Sequence, residues 1–323
     1  MGYGRHSGAK LYPAFLLAGA HIVSVLTRSA ASAEKAAAEL GAEHAYHDID
    51  RMLADTALDA VVICVQPEDQ AALTLRCLQA GLPVFVEKPL GMSGADARKV
   101  ATAAKEHDVP VMVGFMKRFA PAYERLAELL ADPEKLGRLL TVDATFSFAP
   151  WTTDLRVNSF LQQGAIHMID LLLAVFGEAE IEAGQSNSAK SDIGLVYTLR
   201  FPDGSVASLT LSATQAREDT FERVTAVATK GWVTAENLDS VSYRFEGQTG
   251  TSSESWTERE DFAAICHSDD PNQAAQALDL CREGFYGEAR HFMQRVSSNK
   301  PLQASAAENV TTMVLCDELR EIL

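Results

Sequence analysis

The run Val84-Phe85-Val86-Glu87-Lys88-Pro89 decides the fold of the first half of this chain. Three consecutive apolar residues without polar alternation suit a strand buried on both faces, as in a parallel sheet covered by helices. Charge arrives only at Glu87 and Lys88, and Pro89 then turns the chain. Working outward, Asp69 to Ala80 has a helical pattern that stops at Gly81, and Ser93 to His107 opens with a serine suited to cap a helix. Further apolar runs follow the same logic at Ile22 to Leu26, Ala60 to Val65 and Val111 to Val113, with a helix from Ser32 to Leu40 ending at Gly41. Strands alternating with helices imply crossover connections and an α/β doubly wound domain over residues 1–118.

Beyond Phe119 the pattern changes. A helix from about Pro121 to Leu130 leads into the longer strands Leu139 to Phe148, Leu195 to Phe201, Val206 to Ser212 and Val224 to Thr229. Turns such as Pro202-Asp203-Gly204 and Lys230-Gly231 replace crossover helices, so residues 119–323 read as an α+β domain with an open, mainly antiparallel sheet. Helices from His167 to Phe176, Tyr286 to Val296 and Ser305 to Leu323 are expected to cover one face of it, and Glu246 to Glu258 reads as an exposed loop. No internal repeat is visible.

At 323 residues, 47% of them hydrophobic, the chain can fill two cores. Asp and Glu number 44 against 28 Lys and Arg, a balance that repels phosphate backbones and anionic membranes, so neither nucleic acid nor membrane is an expected partner. The five cysteines (Cys64, Cys77, Cys266, Cys281, Cys316) show no C-x-x-C pairing, which fits a reduced cytoplasmic protein. An uninterrupted apolar run of 18 residues and a secretory leader pattern are both missing, so export is not expected.

The opening Met1-Gly2-Tyr3-Gly4-Arg5-His6-Ser7-Gly8 nearly matches the glycine-rich turn that presents backbone amides and a helix N-terminus to a pyrophosphate. Gly2 and Gly4 hold the first two positions and Ser7 the third, and Tyr3, Arg5 and His6 lie within the turn. The alternative is an N-terminal tail. In favour of the turn, the strand ending at Leu26 lies about twenty residues on, where this fold places the group that reads the adenosine ribose. There Thr27, Arg28 and Ser29 offer a guanidinium flanked by hydroxyls and no carboxylate, which favours NADP over NAD unless Arg28 is only a solvated loop residue. One defect stands out: the strand that should precede Gly2, normally central in the sheet, is absent. Its loss would leave two interior edges unpaired, so either several residues are missing upstream or the chain has improvised a replacement.

Lys88 follows a buried strand on the carboxyl edge where doubly wound sheets bind ligands. An ammonium there could hydrogen-bond a substrate hydroxyl and assist proton removal as hydride leaves the carbon, whereas Glu-Lys-Pro alone is a common surface turn. In Gln162-Gln163-Gly164-Ala165-Ile166-His167-Met168-Ile169-Asp170, helical spacing puts Gln163, His167 and Asp170 near one side. His167 could relay the proton or be a satisfied core histidine, and Asp170 could orient it or pair elsewhere. The other seven histidines show no metal-ligand spacing, which disfavours a zinc-dependent mechanism.

Taken together, Gly2-Tyr3-Gly4, Val86-Glu87-Lys88-Pro89-Leu90, Val113-Gly114-Phe115-Met116-Lys117-Arg118-Phe119 and Gly164-Ala165-Ile166-His167-Met168-Ile169-Asp170-Leu171 make the chain resemble the Gfo/Idh/MocA oxidoreductases nearly end to end. That resemblance implies a Rossmann domain and a C-terminal α+β domain whose open sheet makes oligomer contacts, here a homodimer or homotetramer. It also implies NAD(P)-dependent oxidation or reduction of sugars, cyclitols and related polyols. By the resemblance Lys88 and His167 line the substrate pocket, nicotinamide contacts map to Cys64, Val65, Gln66 and Pro67, and Glu87 adjoins them. The chain departs from the family pattern at Gln163, where an aspartate is frequent, at Met116, where a polar side chain is frequent, and at Gln70, which replaces a histidine. Arg118 and Tyr286 are further substrate candidates, with an interdomain salt bridge and a packed helix start as their respective alternatives.

The expectation is therefore an NADP-preferring oxidoreductase with Lys88 and His167 as catalytic residues and no metal. Two other readings stay open: a dinucleotide-binding regulatory protein without turnover, and a glycosidase that retains NAD.

Overall fold

A computed structural model of the chain describes residues 1–55, 57–214, 220–246, 258–261 and 271–323. It divides into two compact units, Met1–Met116 with Phe285–Met313, and Lys117–Gly284 with Val314–Leu323.

In the first unit the apolar runs form short strands: β1 (Ser24–Leu26), β2 (His44–Tyr46), β3 (Val61–Ile63), β4 (Val84–Glu87) and β5 (Val111–Gly114). All pairings are parallel, but they make two ladders, β1 with β2 and β3-β4-β5. All residues of β4 and β5 are buried, as continuous apolar runs require. The connecting helices start and stop where local chemistry dictates. Ser29 accepts a hydrogen bond from the Ser32 amide at the start of Ala30–Leu40, and Gly41 closes that helix at φ 68°. Ser93 caps Gly94–His107 through the Asp96 amide. Met1 and Gly2 bridge the two ladders. The Met1 amine donates to Val62 O at 2.5 Å, the Cys64 amide donates to Met1 O at 2.9 Å, and the Gly2 amide donates to Leu26 O at 2.8 Å.

The helix Phe285–Ser297 returns to this first unit, contrary to the expectation that it covers the second sheet. Its Phe292 ring meets Phe85 at 5.8 Å and Phe15 at 6.1 Å, both nearly perpendicular. Three large rings buried in one cluster outweigh any contact a half-polar sheet face could offer.

The second unit is built on an eight-stranded sheet: β6 (Leu139–Phe148), β7 (Glu180–Ser186), β8 (Ile193–Arg200), β9 (Val206–Ala213), β10 (Phe221–Ala228), β11 (Gly231–Glu236), β12 (Ser240–Phe245) and β13 (Glu258–Asp261). Its order is β13-β12-β11-β10-β6-β9-β8-β7, antiparallel everywhere except between β6 and β9. Burial alternates along β8, with Ile193, Leu195, Tyr197 and Leu199 inward, so one face is covered and the other open. The Tyr197 hydroxyl reaches Leu319 O at 2.9 Å, placing the C-terminal helix on the covered face. The Glu246 to Glu258 loop reading falls largely outside the described residues. The helical run Val157–Phe176 is long and apolar enough to cross a membrane by length and composition, but 61% of its most apolar window is buried in the protein, the mark of a core helix.

Candidate active site

The candidate residues fall into two groups, one in each unit. In the first unit Gly2 sits at φ 83°, and an added Cβ would stand 2.0 Å from Cys64 O, so only glycine fits between β1 and β3. Gly4 is tied to the next turn: its amide donates to Ser7 Oγ at 2.8 Å, and its carbonyl accepts from the Gly8 amide at 2.9 Å. The helix then runs from Arg5 to Leu17, with a π-helical stretch at Ser7–Leu11. A glycine turn feeding the N-terminus of a helix this long presents backbone amides that suit an anion, and Gly4 is open, with nothing within 4 Å of an added Cβ. Tyr3 is held at one side by its hydroxyl on Glu39 Oε2 at 2.7 Å.

Thr27, Arg28 and Ser29 follow β1 directly. Thr27 Oγ1 donates to Ser29 O at 3.0 Å and Ser29 caps the next helix, while Arg28 is exposed and forms no ion pair among the described residues. Cys64 follows β3 directly, and Val65 and Gln66 lead from it into the helix that starts at Pro67, Pro67–Gln79. Burial, with help from the Glu87 charge, pushes the Cys64 thiol up to about 12, so it stays protonated and is no nucleophile. Gln70 is buried with its side-chain amide against the backbone carbonyls at the end of β4.

Lys88 leaves the end of β4 through a cis bond to Pro89. Burial pulls its ammonium below the ordinary lysine value, with Glu87 acting in the opposite direction. Glu87 itself is buried, accepts from the Lys88 amide at 3.2 Å and meets His6 Nε2 at 3.2 Å. Gly114 on β5 makes room for it, since an added Cβ there would lie 3.2 Å from its carboxyl carbon. His6 is thereby drawn from the glycine turn toward the β4 end, and its ring rests edge-on to Phe285 at 5.6 Å.

Sequence reading missed Glu288. It is fully buried, its carboxylate oxygens have no hydrogen-bond partner among the described residues, and burial followed by the Glu87 charge raises its pKa well above the carboxylate range. The signal was present: Phe285, Ala289 and Phe292 make an apolar helical stripe, and Glu288 lies within it. Tyr286, on the same helix, is half-buried with the Arg290 guanidinium over its ring at 5.5 Å. Met116 is half-buried at the end of this unit.

In the second unit the chain is helical from Val157 to Phe176. It passes through a π-helical stretch at Phe160–Ala165 before the α-helix Ile166–Phe176. Gln163 and His167 are the only residues between 160 and 172 that are not buried, so they share the one open strip of this core helix. A π-helical stretch beside a polar strip recurs at functional sites. Gly164 lets the helix approach β6, because an added Cβ would meet Phe148 Cζ at 2.5 Å. Arg118 and Asp170 find each other: Nε to Oδ2 and Nη2 to Oδ1 both measure 2.7 Å, with Asp170 fully buried. That bidentate pair lies within the second compact unit, although it crosses the boundary expected at residue 118. Lys117 is likewise buried and paired with Glu222, which also accepts from the Tyr123 hydroxyl at 3.1 Å.

Residues 1–115 match the family model GFO_IDH_MocA, described as an oxidoreductase family with an NAD-binding Rossmann fold. A 4-carboxy-2-hydroxymuconate-6-semialdehyde dehydrogenase from Sphingobium is 30% identical over 205 residues, 56% of this chain and 64% of that protein. The chain thus spans less than two thirds of that relative's length. A myo-inositol 2-dehydrogenase from Thermotoga maritima is 24% identical over 86% of this chain and 81% of its own length. A crystal structure of a dehydrogenase from Chromobacterium violaceum shares the fold at a TM-score of 0.85 and 22% identity, covering 99% of this chain and 93% of that one. The glycine turn, the Glu87-Lys88-Pro89 strand end and the antiparallel second sheet agree with these likenesses, and residues 1–115 are similar to the Gfo/Idh/MocA oxidoreductase family.

Proposed function

We propose that this protein is an NADP-preferring dehydrogenase or reductase that moves hydride between a nicotinamide and a hydroxyl- or carbonyl-bearing carbon of a sugar, cyclitol or related polyol. The observation that carries the reading is Lys88, held at the carboxyl end of a buried strand with its ammonium weakened by burial. The glycine turn fits a dinucleotide: Gly2 permits the close backbone approach and Gly4 is open at the helix N-terminus. In this reading Arg28, exposed and flanked by Thr27 and Ser29, pairs with a 2′-phosphate. The nicotinamide ring supplies the hydride acceptor or donor when bound.

The chain's own residues handle the proton. A lysine with a lowered pKa donates to the substrate oxygen and exchanges its proton more readily at neutral pH than an ordinary lysine does. In this reading His167 is the general acid or base, and Gln163 orients the substrate, because an amide donates and accepts but does not titrate. A relative named as a myo-inositol 2-dehydrogenase supports a polyhydroxylated substrate. The open face of the eight-stranded sheet supports a homodimer or homotetramer, which sedimentation would measure.

Following reduced-nicotinamide absorbance across a panel of sugars, inositols and their keto forms tests the reading. Lys88→Met should lower turnover by at least about a hundredfold, the usual worth of general acid–base catalysis, while NADP affinity changes little. A full-rate Lys88→Met enzyme would refute the assignment. Arg28→Ala should weaken NADP by about tenfold, the equivalent of one charge-assisted hydrogen bond, and leave NAD nearly unaffected.

A further inference from the structure

The segment that follows β6 carries an aromatic side chain outward, beside the open strip of the core helix. Trp151 is 50% exposed. Its ring lies on Phe148 with the planes 4° apart and the centroids at 5.4 Å. Phe148 is backed in turn by the buried rings of Phe160, at 5.4 Å and 20°, and Phe146. A flat side chain that is covered on one face and half exposed overall presents its other face to solvent. Gly164 fixes where the indole sits, since an added Cβ there would stand 3.3 Å from Trp151 Cζ3. Gly164 adjoins Gln163 and lies three residues before His167, so the indole edge rests on the same turns of helix that carry those two side chains. All of these residues belong to the second unit.

We propose that Trp151 is a stacking platform for a ring-shaped polyol, a cyclitol or a cyclic sugar, and that it selects such rings over open-chain polyols. The assignment rests on the polyol reading given above and deepens it. A saturated ring with mostly equatorial hydroxyls is amphipathic, with C–H bonds pointing to its two faces and hydroxyls to its rim. The oxygens draw electron density from those C–H bonds, and the electron-rich face of an indole attracts them. The rim is then left to groups that exchange hydrogen bonds. Gln163 and His167, beside the platform, supply an amide and an imidazole, each able to donate and to accept. An open-chain polyol carries the same hydroxyls without a flat C–H face, and it loses more rotational freedom on binding. The stack on Phe148 already orders the indole, so little freedom is lost from the protein's side.

The test is saturation-transfer NMR with scyllo-inositol, whose hydroxyls are all equatorial, and with sorbitol, which has as many carbons and hydroxyls in an open chain. NADPH is present throughout, because the reduced cofactor does not oxidise an alcohol. The parent protein should saturate the ring protons of scyllo-inositol and bind it more tightly than sorbitol. Trp151→Leu should weaken scyllo-inositol by about tenfold, the upper range of an aromatic contact, and leave sorbitol nearly unaffected. Trp151→Phe keeps an aromatic face and should recover most of the loss. In turnover the change should fall on KM and spare kcat, since a stack made equally in ground and transition states contributes binding alone. A parent protein that binds neither probe, or shows no preference for the ring, would overturn the proposal. So would equal losses in the Leu and Phe variants, which would trace to the packing of Phe148 against Gly164. Polyol turnover with an unaltered KM in Trp151→Leu would sink the platform and leave the proposed reaction standing, whereas ring binding that depends on Trp151 without any turnover would do the reverse.

Discussion

Glu288 and the Met1 amine are both buried in the first unit, and each ties stability to pH with opposite sign. The Glu288 pKa is raised in the folded state, so the folded protein holds a proton that the unfolded chain releases. Its contribution is intact below the unfolded carboxylate value and is lost as pH rises through the folded one. Glu288→Gln removes that loss: the variant should match the parent in mildly acidic solution and exceed it in Tm at alkaline pH, as read by calorimetry across the range. A Tm difference that stays flat with pH would mean that the carboxyl does not titrate on unfolding. The Met1 amine is lowered from 8.0 to about 6, mainly by desolvation. Folding must then shed a proton from it, so stability should rise by up to about 3 kcal/mol between pH 6 and 8. Calorimetry across that range reads the slope, and acetylating the Met1 amine should erase it. Lys88 and Gly2 were legible as residues because each is announced by its immediate neighbours. The burial of Glu288 was not, because it depends on where the Phe285–Ser297 helix docks, and the Arg118–Asp170 pair was not, because its two residues lie 52 positions apart.

At the scale of elements, the strands buried on both faces and the long alternating strands were readable from pattern alone, and the sheet edges were not. β7 is exposed or half-exposed throughout and β13 reads Glu-Arg-Glu-Asp, so neither has an apolar side to betray it. Charge on edge strands is what keeps such edges from pairing with other molecules. β2 is only three residues long, too short for any periodicity. The helix carrying Gln163 and His167 was expected, but not its π-helical stretch nor the closeness of Gly164 to Phe148. Gly164→Ala would force a Cβ into the Phe148 ring, which is itself stacked on Trp151 and Phe160 at 5.4 Å. Overpacking of this kind costs about 1–3 kcal/mol. Thermal unfolding should show that loss, and near-UV circular dichroism should report a changed Trp151 environment. Asp170→Asn is the harsher change, since it removes the buried negative charge that takes two hydrogen bonds from the Arg118 guanidinium, at a cost of about 3–5 kcal/mol.

At the scale of the molecule, the first domain was read as ending at residue 118, and the family match ends at 115. The first compact unit nevertheless includes Phe285–Met313, which the chain reaches only after building the whole second sheet. Nothing local in the sequence announces such a return, because the Phe285–Ser297 stripe is as apolar as that of any helix packed on any core. The return supplies Phe292 to the cluster with Phe15 and Phe85, the buried Ala289, and a carbonyl at Ala304 that accepts from the Val113 amide at 2.8 Å. A fragment of residues 1–116 would therefore expose one side of its core and leave the β5 edge without that acceptor. Phe292→Ala in the intact chain should cost about 3–5 kcal/mol, with urea denaturation as the measure. The fragment loses that ring together with the rest of the helix, so it should give no cooperative thermal transition and no dispersed amide spectrum. A 1–116 fragment that unfolded cooperatively and bound dinucleotide would show that the returning helix is dispensable to the first unit's core.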